Sequence, residues 1–207
     1  IIIDAQQYNA LDDGYWPYSM HTMTFKTGVL RQADLRLSEG ISYTDNEYIF
    51  YPLPYVKTMI YKDIALYQYT IGREGQTMTP TVMDKRIDQF DKILSRMLCF
   101  YDQNKSRIAR AVLANMQGII FSIIHWMYYL LLHSSDRTQT MDMLLNLDLR
   151  MAQYPEFHEQ IESIEQYGFR YVDYWHRTKR TCVHPLAQLH LQWHRLIRKI
   201  KRYESNK

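Results

Sequence analysis

The sequence contains little cysteine, glycine or proline for its 207 residues. Its two cysteines, Cys99 and Cys182, are far apart and exclude a disulfide scaffold, so a reducing cytosol is the expected compartment. Seven glycines and six prolines argue against a turn-dense all-β protein. The opening segment Ile1–Ile3 lacks the basic region and cleavage site of a signal peptide, and it reads as a strand that has lost the residues before it.

Hydrophobic residues, tyrosine and methionine are plentiful. The chain is 46% hydrophobic and 23% charged, which excludes disorder as an overall description, and it contains 18 Tyr and 11 Met. The net charge of +3 is unevenly distributed. Residues 170–207 have ten Lys and Arg against two acids, a net +8, whereas residues 1–169 have 15 against 20, a net −5. A basic tail of this kind suits anionic lipid, nucleic acid or an acidic partner.

The hydrophobic patterns predict an α+β fold with strands in the first part and helices in the rest. The predicted strands are Ile1–Ile3, Tyr18–Lys26, Thr58–Tyr61 and Leu66–Ile71, with a turn at Asp12–Gly14 and a short helix at Gly28–Leu37. From Thr79, an N-cap before Pro80, apolar residues recur every three or four positions up to Tyr101. Further helices are predicted over Ser106–Leu132, Asp136–Gln153, Pro155–Gly168 and Leu186–Tyr203.

The predicted helix Ser106–Leu132 includes a long uncharged stretch. Ala111–Leu132 has 22 residues without Asp, Glu, Lys or Arg, which is long enough to span a bilayer. Five of its residues are costly in hydrocarbon: Asn115, Gln117, Gly118, Ser122 and His125. A buried or interface helix is therefore preferred, with membrane insertion as the alternative.

The segment Glu39–Met78 contains the residues that best suit chemistry. Asp45 and Glu47 form a carboxylate pair in an aromatic setting, and a carboxylate can act as general base toward a hydroxyl. Arg73 lies between glycines and is followed by Gln76, which suits an oxyanion because the backbone can approach closely and the guanidinium can pair bidentately. By itself this pattern is a weak signal, since acidic loops are usually solvated.

The order of motifs resembles the C-terminal half of the catalytic domain of family 2 glycosyltransferases, the inverting GT-A enzymes of bacterial capsule, exopolysaccharide and O-antigen synthesis. The matching elements, all within residues 1–80, are His21–Lys26, Val29–Arg31, Tyr43–Tyr48, Leu66–Tyr69 and Ile71–Thr77. The resemblance predicts a GT-A-like part over 1–79, on the acceptor side, and a separate helical domain over 80–207.

The resemblance implies roles for five residues. Asp45 corresponds to the base that deprotonates the acceptor hydroxyl, although Thr44 replaces the acid that usually precedes it, and Glu47 is a second candidate. Arg73 and Gln76 match a GRxGQ element near the donor diphosphate or the acceptor, and His21 belongs to the same substrate-binding set. The implied partners are a nucleotide-sugar donor and a saccharide or lipid-linked acceptor.

One departure from the family concerns its metal. Family members hold Mg²⁺ or Mn²⁺ on the donor diphosphate through a D-x-D motif in an N-terminal Rossmann-like half, and this sequence shows neither feature. Asp12-Asp13 precedes Gly14 and is interpreted as a hairpin turn. The chain is therefore expected to be a C-terminal fragment that binds no metal, binds nucleotide-sugar weakly and is inactive alone.

Other site chemistries find less support in the sequence. His190 and His194 have i, i+4 spacing that could hold zinc together with Cys182, and His176 and His184 lie nearby. Without an adjacent acid or a second close pair, a surface helix is the preferred interpretation. No G-x-S-x-G or P-loop motif occurs.

The basic C-terminal helix predicts that the protein binds to a membrane surface or to another molecule. Its apolar side includes Trp193, and such a helix can lie in a membrane interface, which suits a cytoplasmic protein at the inner face of the plasma membrane. No nucleic-acid motif accompanies the charge, so nucleic acid is not an expected partner. The alternative function is a helical interaction, homo-oligomerisation or membrane-docking module without catalysis of its own.

Overall fold

The computed structural model describes residues 2–10, 12, 17–68, 70, 76, 80–134, 137–165, 168–178 and 193. The fold is mixed and mostly helical with a small two-stranded sheet, which confirms α+β in outline. The chain forms two compact units, Ile1–Met127 and Tyr128–Lys207. The predicted boundary at residues 79 and 80 marks the end of the family resemblance and stays a prediction.

The sheet joins the beginning of the chain to residue 60. Strands β1, Ile2–Asp4, and β2, Thr58–Ile60, pair antiparallel with Ile3 opposite Met59. Both strands were predicted, with ends that differ by one residue. The backbone N–H of Ala5 extends the pairing by donating to the Lys57 carbonyl at 3.0 Å.

Two other predicted strands are wrong. Within Tyr18–Lys26, the Thr22 hydroxyl donates to the Pro17 and Ser19 carbonyls, and the Thr22 and Met23 N–H groups also bond to Ser19, so local bonds close a turn. Within Leu66–Ile71, the described residues 66–68 and 70 form no strand. The Leu66 N–H donates to the Ile64 carbonyl two residues earlier, which replaces a ladder bond.

Short helices α1, Thr27–Gln32, and α2, Asp45–Phe50, lie between the two strands in sequence. The prediction of a helix over Gly28–Leu37 was right in kind but too long. The helix ends before Asp34, which adopts a left-handed conformation with φ 43°, and the Leu35 N–H then bonds back to the Leu30 carbonyl. Helix α2 was not predicted.

Helices α3, Pro80–Asp84, and α4, Ile87–Asn104, follow the predicted start at Pro80. The three-to-four-residue spacing in α4 buries one face, as predicted. The buried residues of this face are Ile87, Phe90, Ile93, Leu94, Met97, Leu98 and Tyr101. This apolar face is a major part of the core of the first unit.

The long helix α5 covers Arg110–His133, close to the predicted range. Among the described residues it is the one helix long and apolar enough to cross a membrane, and half of its most apolar stretch is buried within the protein. The Asn115 side chain accepts from the Ala10 N–H at 2.9 Å and donates to the Tyr8 carbonyl at 2.6 Å. The Gln117 amide donates to the Tyr101 hydroxyl at 2.7 Å. These bonds give two of the polar residues partners inside the first unit, which supports a buried helix.

The second unit contains helices α6, Arg137–Met151, α7, His158–Ser163, and α8, Tyr171–Arg177. Helix α6 was predicted. The predicted helix Pro155–Gly168 is instead a 3-10 turn at Pro155–Phe157 followed by the short α7. Helix α8 was not predicted, although it buries Tyr171, Val172 and Trp175. The predicted helix Leu186–Tyr203 lies outside the described residues except for Trp193, which is helical and exposed.

Candidate functional site

Asp45 is the first residue of α2, and its side chain is half-buried. Burial raises the pKa of this carboxyl, while the backbone N–H groups of Asp45 and Asn46 and the positive charge of His21 act in the opposite direction. The result is a carboxylate that is more basic than usual and still reached by solvent. Such a group can accept a proton from a bound hydroxyl.

His21 lies close enough to Asp45 for the two charges to interact. Its ring stacks on Tyr67, with ring centroids 4.3 Å apart and 20° between the planes. Tyr67 is 54% exposed. His21 is thus within electrostatic range of Asp45, the other residue expected in a site, and it contacts Tyr67 directly.

The loop before Asp45 is held by Arg86, the residue before α4, and by the first turn of α4. The Arg86 guanidinium donates to the Ser42 hydroxyl at 2.7 Å, and the Gln89 side-chain oxygen accepts from the Ser42 N–H at 2.7 Å. The Tyr43 ring stacks on Phe90 at 4.0 Å between centroids. These contacts attach the loop that leads into Asp45 to a long helix. A functional side chain needs such support, because its geometry must stay constant.

Tyr43 has an unusual backbone conformation for a bulky residue. Its φ is 65°, in the left-handed region, and the Asn46 side chain donates to its carbonyl at 2.9 Å. A non-glycine residue in this region costs of the order of 1–3 kcal/mol, and such residues occur often at functional sites. The packing of Tyr43 on Phe90 offsets this cost, so the sharp turn into Asp45 is maintained.

Glu47, the second candidate acid, has a different environment. Its side chain is fully buried and accepts from the Ser38 N–H at 2.7 Å and from the Ser38 hydroxyl at 3.0 Å. Arg96 of α4 lies 3.2 Å from the same carboxylate. Burial and then the negative charge of Glu47 raise the pKa of neighbouring Tyr51 to about 12. This set of contacts indicates that Glu47 joins the Ser38 loop to α4.

Of the two residues in the predicted anion-binding element, Arg73 and Gln76, the structure describes only Gln76. Arg73 lies outside the described residues. Gln76 is described, and its amide donates to the Thr70 carbonyl at 2.6 Å. This bond ties Gln76 to its own segment. Their predicted role stays a prediction.

A second polar cluster lies in the second unit and was missed by sequence reasoning. His176 of α8 contacts Glu162 of α7 and Asp148 of α6 through its two ring nitrogens. The two carboxylates that contact this histidine come from positions 14 and 28 residues earlier in the sequence. Their i, i+14 and i, i+28 separations carry no local signal.

Comparison with protein-family models, curated proteins and solved structures finds no match to this chain. The family resemblance therefore rests on the residues and motifs of residues 1–80. Among the described residues, no group of three or more His, Cys, Asp or Glu side chains is arranged to hold a metal ion. The zinc interpretation falls mostly on residues outside the described ones, Cys182, His184, His190 and His194.

Proposed function

We propose that this chain is the acceptor-side, C-terminal part of an inverting glycosyltransferase, followed by a helical domain. The observation that carries the proposal is the environment of Asp45. A half-buried carboxylate with a raised pKa lies at the start of α2, within electrostatic range of His21, and directly after a loop that Gln89 of α4 holds through Ser42. This is what a general base for a sugar hydroxyl requires.

In the proposed reaction, the Asp45 carboxylate takes the proton of an acceptor hydroxyl. The hydroxyl oxygen forms a bond to the anomeric carbon of a nucleotide-sugar as the bond from that carbon to the diphosphate oxygen breaks. The nucleoside diphosphate leaves with the bonding electrons, and attack from the opposite face inverts the anomeric centre. The Tyr67 ring, half exposed and stacked on His21, offers a flat apolar surface for the carbon–hydrogen face of the acceptor sugar.

The metal implied by the family does not fit the residues of this chain. Mg²⁺ or Mn²⁺ would bind the donor diphosphate through a D-x-D motif, which the sequence lacks. In the described part of the chain, no acidic cluster provides a substitute. We therefore assign no step of the reaction to a metal held by these residues.

A transfer assay tests the role of Asp45 in the full-length protein that includes this chain. A panel of UDP-hexoses with Mn²⁺ is offered, with saccharide and lipid-linked acceptors, and nucleotide release is measured for the unmodified protein and for Asp45→Asn. The substitution keeps the shape but removes the base, so turnover is expected to fall at least 100-fold. Asp63→Asn is the control, because Asp63 is an exposed acid of the nearby segment 61–68. Turnover retained in Asp45→Asn would contradict the proposal.

Calorimetry on the 207-residue chain tests the part of the proposal that concerns the donor. The chain lacks a recognisable nucleotide-binding half, so titration with UDP-glucose or UDP-N-acetylglucosamine and Mn²⁺ is expected to show no micromolar binding. Micromolar binding would show that these residues hold the donor themselves. The fragment interpretation would then fail.

A second candidate is a helical module for self-association. Leu145 and Leu149 lie one turn apart on α6, and Leu149 is 69% exposed. An exposed leucine pair at this spacing forms an apolar strip that suits contact with a second helix. Light scattering of the chain is expected to show a dimer that Leu149→Glu disrupts. A monomer at micromolar concentration in the unmodified chain would exclude this candidate.

A further inference from the structure

The side chain of His176 lies between carboxylates from two other helices. Its Nδ1 atom is 2.5 Å from Oε1 of Glu162 on α7, and its Nε2 atom is 3.0 Å from both carboxylate oxygens of Asp148 on α6. The Tyr128 hydroxyl of α5 donates to the same Asp148 carboxylate. One imidazole ring therefore connects α6, α7 and α8.

The two carboxylates differ in their access to water. The Asp148 side chain is 5% exposed and the Glu162 side chain is 26% exposed. Asp148 has the Tyr128 hydroxyl as a further donor, whereas Glu162 can turn toward solvent. The Asp148 contact is thus the more costly of the two to break, and the Glu162 contact is the weaker link.

The number of protons on the ring decides how many of these contacts are favourable. A protonated imidazole has two N–H groups and donates to both carboxylates. A neutral imidazole has one N–H, so its other nitrogen presents a lone pair to a negatively charged oxygen. Loss of the proton must therefore weaken one side of the cluster.

We propose that His176 is a proton-dependent clasp of the second unit, which fastens α7 to α6 and α8 when protonated and releases α7 when neutral. In the neutral state the remaining N–H stays with buried Asp148, and Glu162 turns outward. Helix α7 has six residues, and its own backbone bonds cannot hold it without packing. Within the part of the chain that the structure describes, the charged groups that act on His176 are Asp148 of α6 and Glu162 of α7, and the Tyr128 hydroxyl donates to Asp148.

The direction of the His176 pKa shift agrees with the contacts of its ring. Burial lowers the pKa of His176, but the hydrogen bonds and negative charges of Asp148 and Glu162 outweigh burial and raise the pKa above its ordinary value. The stabilisation by the clasp is then complete below the unfolded pKa of about 6.5, and it is lost as the pH rises through the folded pKa. The release of α7 therefore takes place on the alkaline side of pH 6.5.

An NMR titration of the ¹⁵N-labelled full chain between pH 5 and 9 measures the ring directly. Long-range ¹H–¹⁵N spectra distinguish a doubly protonated ring from either neutral form. His176 is assigned by comparison with His176→Gln, and His158→Gln is the matched control, since His158 is an exposed histidine at the start of α7. A His176 midpoint above 6.5 supports the clasp, and a midpoint at or below 6.5 overturns it.

Hydrogen exchange of residues 158–163 measures the release of α7. After correction for the intrinsic pH dependence, protection is expected to fall at least tenfold across the His176 midpoint, and this fall should be absent in Glu162→Gln. Since His176→Gln removes both contacts and is the more disruptive change, Glu162→Gln provides a milder variant that retains the Asp148 contact. Protection of α7 that is constant with pH in the unmodified chain would refute the proposal.

Discussion

The Arg96 guanidinium lies 3.2 Å from the fully buried carboxylate of Glu47, so an exposed cation of α4 covers a carboxylate with no access to water. Arg96 also donates to the Ser38 hydroxyl and, at 3.3 Å, to the Arg36 carbonyl. The loop from Arg36 to Ser38 and helix α2 are thereby attached to one helix. The arrangement indicates that Glu47 contributes to stability.

Removal of the Glu47 charge should cost stability. Glu47→Gln keeps the shape but weakens the charge-assisted bonds to Arg96 and Ser38, so we expect the free energy of unfolding to fall by about 1–3 kcal/mol. Glu47→Ala also leaves the Ser38 N–H and hydroxyl without their acceptor, so it should cost more than Glu47→Gln, while the half-exposed Arg96 can turn to solvent. Urea unfolding at pH 7 measures both.

A matched control lies on α4, the helix that contains Arg96. Asp88 pairs with Lys92 at 3.2 Å, and both side chains are largely exposed. Asp88→Asn should change the free energy of unfolding by less than about 0.5 kcal/mol. If Glu47→Gln were equally neutral in stability but abolished glycosyl transfer, Glu47 would be the base and the assignment of Asp45 would be wrong.

Asp45→Asn is expected to have the opposite effect on stability. Burial raises the pKa of Asp45, so the folded chain binds a proton there more readily than the unfolded chain. The contribution of this carboxyl to the free energy of unfolding is complete below about pH 3.9 and is lost as the pH rises through the folded pKa. Asparagine resembles the protonated form, and at pH 7 it should raise the free energy of unfolding by about 0.5 kcal/mol.

Urea unfolding at pH 7 and pH 3.5 checks this expectation. The stability gain of Asp45→Asn over the unmodified chain should shrink at pH 3.5, where the native carboxyl is itself protonated. Asp63→Asn, an exposed substitution, should show no such pH-dependent gain. A loss of stability at pH 7 in Asp45→Asn would mean that the carboxylate charge supports the fold.

Local sequence patterns predicted the elements that depend on interactions between residues close together in the sequence. The period of α4 was read correctly because one face of a regular helix is buried along its length. The strand predicted at Tyr18–Lys26 failed because Ser19 and Thr22 bond to the backbone nearby, which hydrophobic alternation does not register. Helix α2 was missed because its apolar residues are few and its start is acidic, although acids favour a helix N-terminus.

The candidate site depends on contacts that sequence spacing cannot supply. Asp45 was selected from a motif, but its proximity to His21 and the stacking of His21 on Tyr67 follow from how the chain folds between residues 21 and 67. The His176 cluster depends on three separate helices. Such clusters become visible only after the packing of the elements is known.

Glycine in place of Asp34, the left-handed residue that follows α1, should raise the free energy of unfolding. Asp34 has φ 43° and is exposed, so Asp34→Gly removes the conformational cost of a side chain there at the expense of a more flexible unfolded chain. The net gain in the free energy of unfolding should be about 0.5 kcal/mol. Ala33→Gly is the control, because Ala33 has φ −74° and gains nothing from glycine. It should lose about 0.5–1 kcal/mol, and the same sign for both variants would contradict the explanation.

Asn115 distinguishes a buried α5 from one that inserts in a membrane. Its side chain satisfies the Ala10 N–H and the Tyr8 carbonyl, so Asn115→Leu leaves both without their partner and should lower the free energy of unfolding by about 1–3 kcal/mol. In a membrane-spanning helix the same change would remove a costly polar group and favour insertion. Urea unfolding and flotation with liposomes that contain anionic lipid measure the two effects on the same protein.

The control for this test is Ser122→Ala in the same helix. The Ser122 hydroxyl donates to the Ile119 carbonyl of α5 itself at 2.8 Å, so its loss leaves no group of another element unpaired. We expect a change below about 0.5 kcal/mol in the free energy of unfolding. A buried α5 therefore requires destabilisation by Asn115→Leu, near neutrality of Ser122→Ala and no gain in flotation. Stronger flotation of Asn115→Leu without loss of stability would instead place α5 in the bilayer.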